Sequence, residues 1–209
     1  MKLDPSALRL YLCTDRVLLG KKTLVEAVEA AISGGVTIVQ LREKNVSAKE
    51  FFFIAKELLC VTRLHKIPLI INDRLDIALA AGADGVHLGQ DDVPPAVARI
   101  IAGKDFIIGV SAHNAEEAVK AEKEGADYIG SGAVFQTGTK ADAGVIGPLG
   151  LAAVVNAVKI PVIGIGGINA LNIVEVKKTG AAGAAVISAV LSKADIKGAA
   201  AELRRILDS

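Results

Sequence analysis

Eight times along this chain a short run rich in Val, Ile and Leu gives way to a longer stretch whose apolar residues follow a helical period, and no other feature restricts its fold as much. The runs are LRLYLCT (8 to 14), VTIVQL (36 to 41), IPLIIN (67 to 72), DGVHLG (84 to 89), FIIGVS (106 to 111), DYIGSG (127 to 132), IPVIGIG (160 to 166) and AAVIS (184 to 188). Helical periodicity follows near residues 23 to 33, 47 to 65, 74 to 81, 93 to 102, 115 to 124, 148 to 158, 169 to 179 and 196 to 207. The runs are apolar continuously rather than at every second position, so both faces of each strand are covered, as in a parallel sheet with helical crossovers. Eight such units in 209 residues predict an α/β fold, a TIM-type (β/α)8 barrel of parallel strands, with residues 1–209 forming a single domain. A weak internal echo agrees: SGGVTIVQL, AGADGVHLG, EGADYIGSG and TGAAGAAVIS each join a helix-ending glycine to an even-numbered strand. An open doubly wound sheet fits less well, because the first run ends in Thr14-Asp15 and GIGGIN (164 to 169) has Asn169 where a dinucleotide fingerprint needs its third glycine.

Charge and composition narrow the partners. The 24 Lys and Arg balance 23 Asp and Glu, which leaves a net charge of +1 and no field for nucleic acid or an anionic membrane, so anion chemistry must be local. Trp is absent and aromatic residues make up 3% of the chain, which also disfavours stacking on single-stranded bases. Asp4 and Pro5 interrupt any secretory apolar core near the start, and no apolar stretch is long enough to span a bilayer, so a soluble cytoplasmic protein is expected. Cys13 and Cys60 lack metal-ligand spacing and are expected as buried, reduced thiols. A homo-oligomer is left open.

In such a barrel the chemistry lies at the carboxyl ends of the strands, and those ends are unusually polar here. They carry Thr14 and Asp15; Gln40, Arg42 and Lys44; Asn72 and Asp73; Gln90, Asp91 and Asp92; Ser111, His113 and Asn114; Thr137, Thr139 and Lys140; and Ser188. Within VQLREK, Gln40 and Arg42 are two apart and share a strand face, whereas Glu43 reads as an ion-pair partner. Asp73 and Asp92 follow neighbouring strands and suit one Mg²⁺ ion, which takes one or two carboxylates, several waters and phosphate oxygens. Each also precedes a helix and reads equally as an N-cap. GIGGI after the seventh strand and ISA after the eighth have the chemistry of a phosphate cradle built from backbone N–H groups. His87 lies within a strand and reads as core, while His113 sits at the mouth.

Taken together, LYLCTD, VQLREK, IINDR, ADGVHLGQDD, IGVSAH, GAVFQTGTK, IGGI and VIS resemble, in order and spacing, the thiamine phosphate synthase family across nearly the whole chain. The resemblance implies a transferase that joins hydroxymethylpyrimidine diphosphate to a thiazole phosphate and releases diphosphate, with one Mg²⁺ per active site. It implies that Gln40, Leu41, Arg42, Glu43, Lys44, Asn72, Ser111 and Lys140 bind the pyrimidine diphosphate, with Arg42, Lys44, Ser111 and Lys140 as the catalytic set. It also implies that Thr137, Gly138, Thr139, Gly167, Ile187 and Ser188 bind the thiazole phosphate, and that Asp73 and Asp92 are the metal ligands. Gln136 stands where the family commonly has proline. Two rival readings share the barrel: a thiazole tautomerase, which would need a base such as His113 but not the acidic pair, and a barrel that only binds a phosphorylated ligand.

Overall fold

A computed structural model describes residues 3–138 and 144–209. Eight parallel strands close into a barrel in chain order: β1 (Leu10–Cys13), β2 (Ile38–Leu41), β3 (Leu69–Asn72), β4 (Gly85–Leu88), β5 (Ile107–Ala112), β6 (Tyr128–Ser131), β7 (Val162–Ile165) and β8 (Gly183–Val186). Around them lie α1 (Leu24–Ser33), α2 (Ala48–Leu64), α3 (Leu75–Ala81), α4 (Pro95–Ala102), α5 (Ala115–Lys123), α6 (Gly147–Ala157), α7 (Ile173–Lys178), α8 (Ser188–Leu191) and α9 (Ile196–Asp208). Each predicted run overlaps a strand, with β5 ending one residue later and β8 starting one residue earlier than its run. The helix predicted over 169–179 starts later, at Ile173, because Asn169 and Asn172 spend their side chains on the loop: Asn172 Oδ1 accepts from Asn169 N at 2.8 Å and its Nδ2 donates to Gly167 O at 2.9 Å.

Two layers of apolar packing explain the continuous hydrophobicity of the strands. Outward side chains such as Leu12, Val39, Leu41, Ile71, Val86 and Ile129 are buried beneath the helices. Inward ones, Tyr11, Ile38, Ile70, Ile107, Tyr128, Ile163 and Ala185, fill the barrel. Cys13 is buried as expected, but Cys60 is exposed, because it stands on the solvent side of α2 while Phe51, Ala55, Leu58, Leu59 and Thr62 form that helix's buried face. Helix starts are set locally. Thr23 and Glu26 form a reciprocal capping box on α1, Ser47 caps α2 and Asn114 caps α5.

At the amino-terminal end of the barrel, Arg99 of α4 gathers the segments that enter β5 and β6. It donates to the carbonyls of Gly103 (2.9 Å), Phe106 (2.5 Å) and Gly125 (2.9 Å) and to Asp127 Oδ2 (2.6 Å). This end of such a barrel serves stability rather than chemistry. Arg99→Met is therefore expected to lower stability by about 1–3 kcal/mol, seen as a shifted urea midpoint, with turnover unchanged.

Candidate functional site

One cavity opens at the carboxyl-terminal mouth, and strand periodicity decides who faces it. Gln40, Asn72, His87 and Ser111 point inward from β2, β3, β4 and β5; Arg42 lies just past β2; Thr137, Gly167, Ile187 and Ser188 close the opposite side. Thus eight residues proposed from the sequence, Gln40, Arg42, Asn72, Ser111, Thr137, Gly167, Ile187 and Ser188, line a single space. His113 lines it too.

The others lie elsewhere. The Leu41 side chain belongs to the core between barrel and helices. Lys44 is exposed and does not border the cavity. Glu43 turns to Arg16, with Nε to Oε1 at 2.8 Å and Nη2 to Oε2 at 2.9 Å, so it acts as the ion-pair partner that its alternation with Arg42 predicts. Gly138 borders a second, shallower pocket that shares Thr137, Gly167 and Ser188 with the first. Thr139 and Lys140 lie outside the described residues. Arg42 is anchored through its backbone, its N–H donating to the buried Thr14 Oγ1 at 3.0 Å.

Gly166 and Gly167 both have positive φ, at 99° and 66°, and the β6–α6 segment runs directly against them: Phe135 N donates to Gly166 O at 3.0 Å. A Cβ on Gly167 would sit 2.8 Å from Phe135 Cβ. The turn needs glycine for its own sake, and it also brings bare backbone to the cavity wall beside Ser188, which opens α8.

The two carboxylates are not helix caps. The N-caps of α3 and α4 are Arg74 and Pro94, neither making a side-chain cap bond. Asp73 holds φ at 62°, a conformation that costs a non-glycine residue on the order of 1 kcal/mol, and its N–H donates to His87 O at 2.8 Å. Asp92 Oδ2 accepts from Gly89 N at 2.6 Å, which folds the loop after β4 back on itself. Among the described residues no group of three or more His, Cys, Asp or Glu could hold a metal ion, but Mg²⁺ accepts as few as one or two carboxylates when waters and phosphate oxygens complete its shell.

Beneath the cavity runs a buried polar chain that no motif in the sequence marks. Cys13, Gln40, Tyr11, Tyr128, His87 and Ser111 form one continuous chain of side-chain hydrogen bonds, from Cys13 Sγ at 3.1 Å from Gln40 to Ser111 Oγ at 3.0 Å from His87. His87 is buried, as expected of a core residue, yet it also floors the cavity. The available signal was that each of these residues occupies an inward position of its strand.

Comparison with known proteins places this geometry in a family. A family model described as thiamine monophosphate synthase matches residues 10–190. The chain is 55% identical over 197 residues to the thiamine-phosphate synthase of Ruminiclostridium cellulolyticum, covering 94% of each chain. It is 53% identical over 199 residues to that of Clostridium novyi, covering 95% of this chain and 98% of the relative. Among solved structures, thiamine phosphate pyrophosphorylase from Pyrococcus furiosus superposes with a TM-score of 0.91 at 48% identity, covering 98% of this chain and 97% of that one.

His113 owes its place at the cavity to Glu117. Oε2 accepts from His113 N at 2.8 Å and meets the ring Nδ1 at 3.0 Å, and Oε1 accepts from Asn114 Nδ2 at 2.8 Å. Burial works against the carboxylate, but the bonds from His113 and Asn114 outweigh it and hold the Glu117 carboxyl below its ordinary range. Because the folded value is the depressed one, the stability these bonds give is fully present above the unfolded carboxyl value of about 4.3 and is lost as pH falls through the folded value. Urea midpoints measured against pH are expected to fall more in acid for the wild-type chain than for Glu117→Gln, with the two curves separating most near neutral pH.

Proposed function

Because the chain belongs to the thiamine monophosphate synthase family, we propose that its mouth cavity joins hydroxymethylpyrimidine diphosphate to a thiazole phosphate, giving thiamine phosphate and diphosphate. The observation that carries this reading is the division of one cavity: Arg42, Asn72 and Ser111 on one side, Gly167 and Ser188 with Thr137 on the other. Two separate anion-binding walls suit two phosphorylated substrates whose reacting ends meet between them.

The reaction needs no protein nucleophile. The C–O bond to the pyrimidine methylene breaks, diphosphate leaves with the electron pair, and the ring delocalises the positive charge left on carbon. The thiazole nitrogen then donates its lone pair to that carbon. Charge grows on the departing oxygens as the bond breaks, so donors aimed at them act on the transition state more than on bound substrate. Arg42 supplies a planar fork for two oxygens. Lys44 follows two residues on, outside the cavity lining, and is assigned with Lys140 to the leaving group. Gln40, Asn72 and Ser111 complete the pyrimidine diphosphate side. The backbone at Leu41 and Glu43 carries that loop, and the Arg16–Glu43 pair fixes it. Gly138, Thr139 and Ile187 join Thr137, Gly167 and Ser188 on the thiazole phosphate side, where the first turn of α8 leaves N–H groups without intrahelical partners. Asp73 and Asp92 would hold one Mg²⁺ ion, which when bound supplies positive charge to the diphosphate. Among the described residues no helix is long and apolar enough to cross a membrane, and the small soluble substrates fit the cytoplasmic setting.

The test is to incubate the purified protein with both substrates and Mg²⁺ and to follow diphosphate release. Release is expected only when both substrates are present, and EDTA is expected to abolish it. Altered thiazole without any pyrimidine would point to the tautomerase instead, and binding without reaction would point to the sensor. Arg42→Lys is expected to lower kcat by roughly a hundredfold, since losing a donor of this kind costs ~2–4 kcal/mol in the transition state. A wild-type single-turnover rate for Arg42→Lys at saturating substrate would remove Arg42 from the mechanism.

A further inference from the structure

With the Gln40 amide as placed, one order of donors satisfies every proton in the hydrogen-bond chain under the cavity. Gln40 Oε1 accepts from the Cys13 thiol at 3.1 Å, and Gln40 Nε2 donates to Tyr11 Oη at 2.8 Å. The Tyr11 and Tyr128 hydroxyls lie 2.8 Å apart and either could donate; in this order Tyr11, having accepted from Gln40, gives its own proton to Tyr128 Oη. In the same order Tyr128 donates to His87 Nδ1, 2.9 Å away, and the imidazole proton then sits on Nε2. That proton goes to Ser111 Oγ at 3.0 Å. The Ser111 hydroxyl proton is then left for the cavity that Ser111 lines.

We propose that Tyr11, Tyr128 and His87 are positioning residues that hold His87 as its Nε2–H tautomer and so fix Ser111 as a hydrogen-bond donor to the pyrimidine diphosphate. This rests on the reading of Ser111 given above. The opposite order is also chemically complete: with the Gln40 amide turned, each proton reverses, Ser111 donates to His87, and the serine offers a ligand lone pairs alone. An anion in the cavity selects the first order, because a hydroxyl proton attracts it and lone pairs repel it. The amide favours the same order, since turning it would set an N–H against sulfur, a weak acceptor.

The barrel makes room for this chain. A Cβ on Gly109 would overlap the Tyr128 ring, and one on Gly130 would come within 3.0 Å of His87 Cε1. Burial pushes the Tyr11 and Tyr128 phenols well above their ordinary range, so both stay protonated. The chain therefore relays orientation, and none of its members needs to exchange a proton with substrate.

The histidines number three, so ¹⁵N labelling of the ring nitrogens gives a readable spectrum. With inorganic diphosphate and Mg²⁺ present, His87 is expected as the Nε2–H tautomer, and finding the Nδ1–H tautomer would overturn the proposal. Tyr128→Phe is expected to disturb that tautomer and to lower kcat/KM for the pyrimidine diphosphate about tenfold, leaving the KM for thiazole phosphate unchanged. In a Ser111→Ala background the same change is expected to cost almost nothing further. A full tenfold cost in that background would show that Tyr128 only supports the fold and would equally overturn the proposal. Tyr11→Phe, which interrupts the chain one bond further from the cavity, gives a second variant for the same comparison. The tautomer is read without turnover, so an inactive protein would refute the synthase reading and still leave the hydrogen-bond order measurable.

Discussion

The contact between the hydroxyls of Tyr11 and Tyr128, 2.8 Å apart at the centre of the barrel, divides the molecule into a part that must be dry and a part that must be polar. Below it the interior is closed by Leu8, Ile38, Ile70 and Ile107. Above it every inward side chain from β1 to β5 carries a polar atom: Cys13, Gln40, Asn72, His87 and Ser111. A buried hydroxyl left unpaired costs about 1–3 kcal/mol, which is as much as burying an aliphatic side chain contributes. Two phenols inside a barrel are thus tolerable only if both are paired, and each pair demands another polar group nearer the mouth. The chain of partners ends where a ligand can take over.

The same constraint shapes the proposed chemistry. With a net charge of +1, the protein has no global field to attract diphosphate, so attraction must come from groups set at the mouth. Arg42 is positioned by its own backbone bond to Thr14 Oγ1, and its neighbour Glu43 is occupied by Arg16, so the acid beside the cation faces away from the leaving group. Opposite, the wall of Gly166, Gly167 and the start of α8 offers peptide groups rather than charge. Arg42 on one wall and uncharged peptide groups on the other would suit the proposed pairing of a group that departs with a phosphate that stays.

Much of this was legible in the sequence. Continuous apolar runs separated by helical periods are a consequence of covering both strand faces, which is why the barrel and all eight strands could be read directly. Polar residues at strand ends could be placed at the mouth for the same reason, and those with an inward position, Gln40, Arg42, Asn72 and Ser111, do border the cavity. What could not be read was the choice between inside and outside within a run apolar on both faces. Leu41 and Gln40 are adjacent in sequence, yet one packs beneath helices and the other joins the buried polar chain. His87 shows the limit most clearly: alternation alone marks it as buried, while its partners Tyr128 and Ser111 come from strands 41 and 24 residues away. Cys60 erred in the other direction, since helical phase, not thiol chemistry, decides its exposure.

In the proposed reaction one cavity holds both phosphorylated substrates at once, each against its own wall. Titration calorimetry with a pyrimidine diphosphate analogue whose scissile oxygen is replaced by CH₂ tests it directly, because no reaction can follow. With the analogue at saturation, one thiazole phosphate per chain is expected to bind, at an affinity no weaker than in its absence. Competition between the two ligands, with thiazole phosphate excluded once the analogue is bound, would contradict the claim.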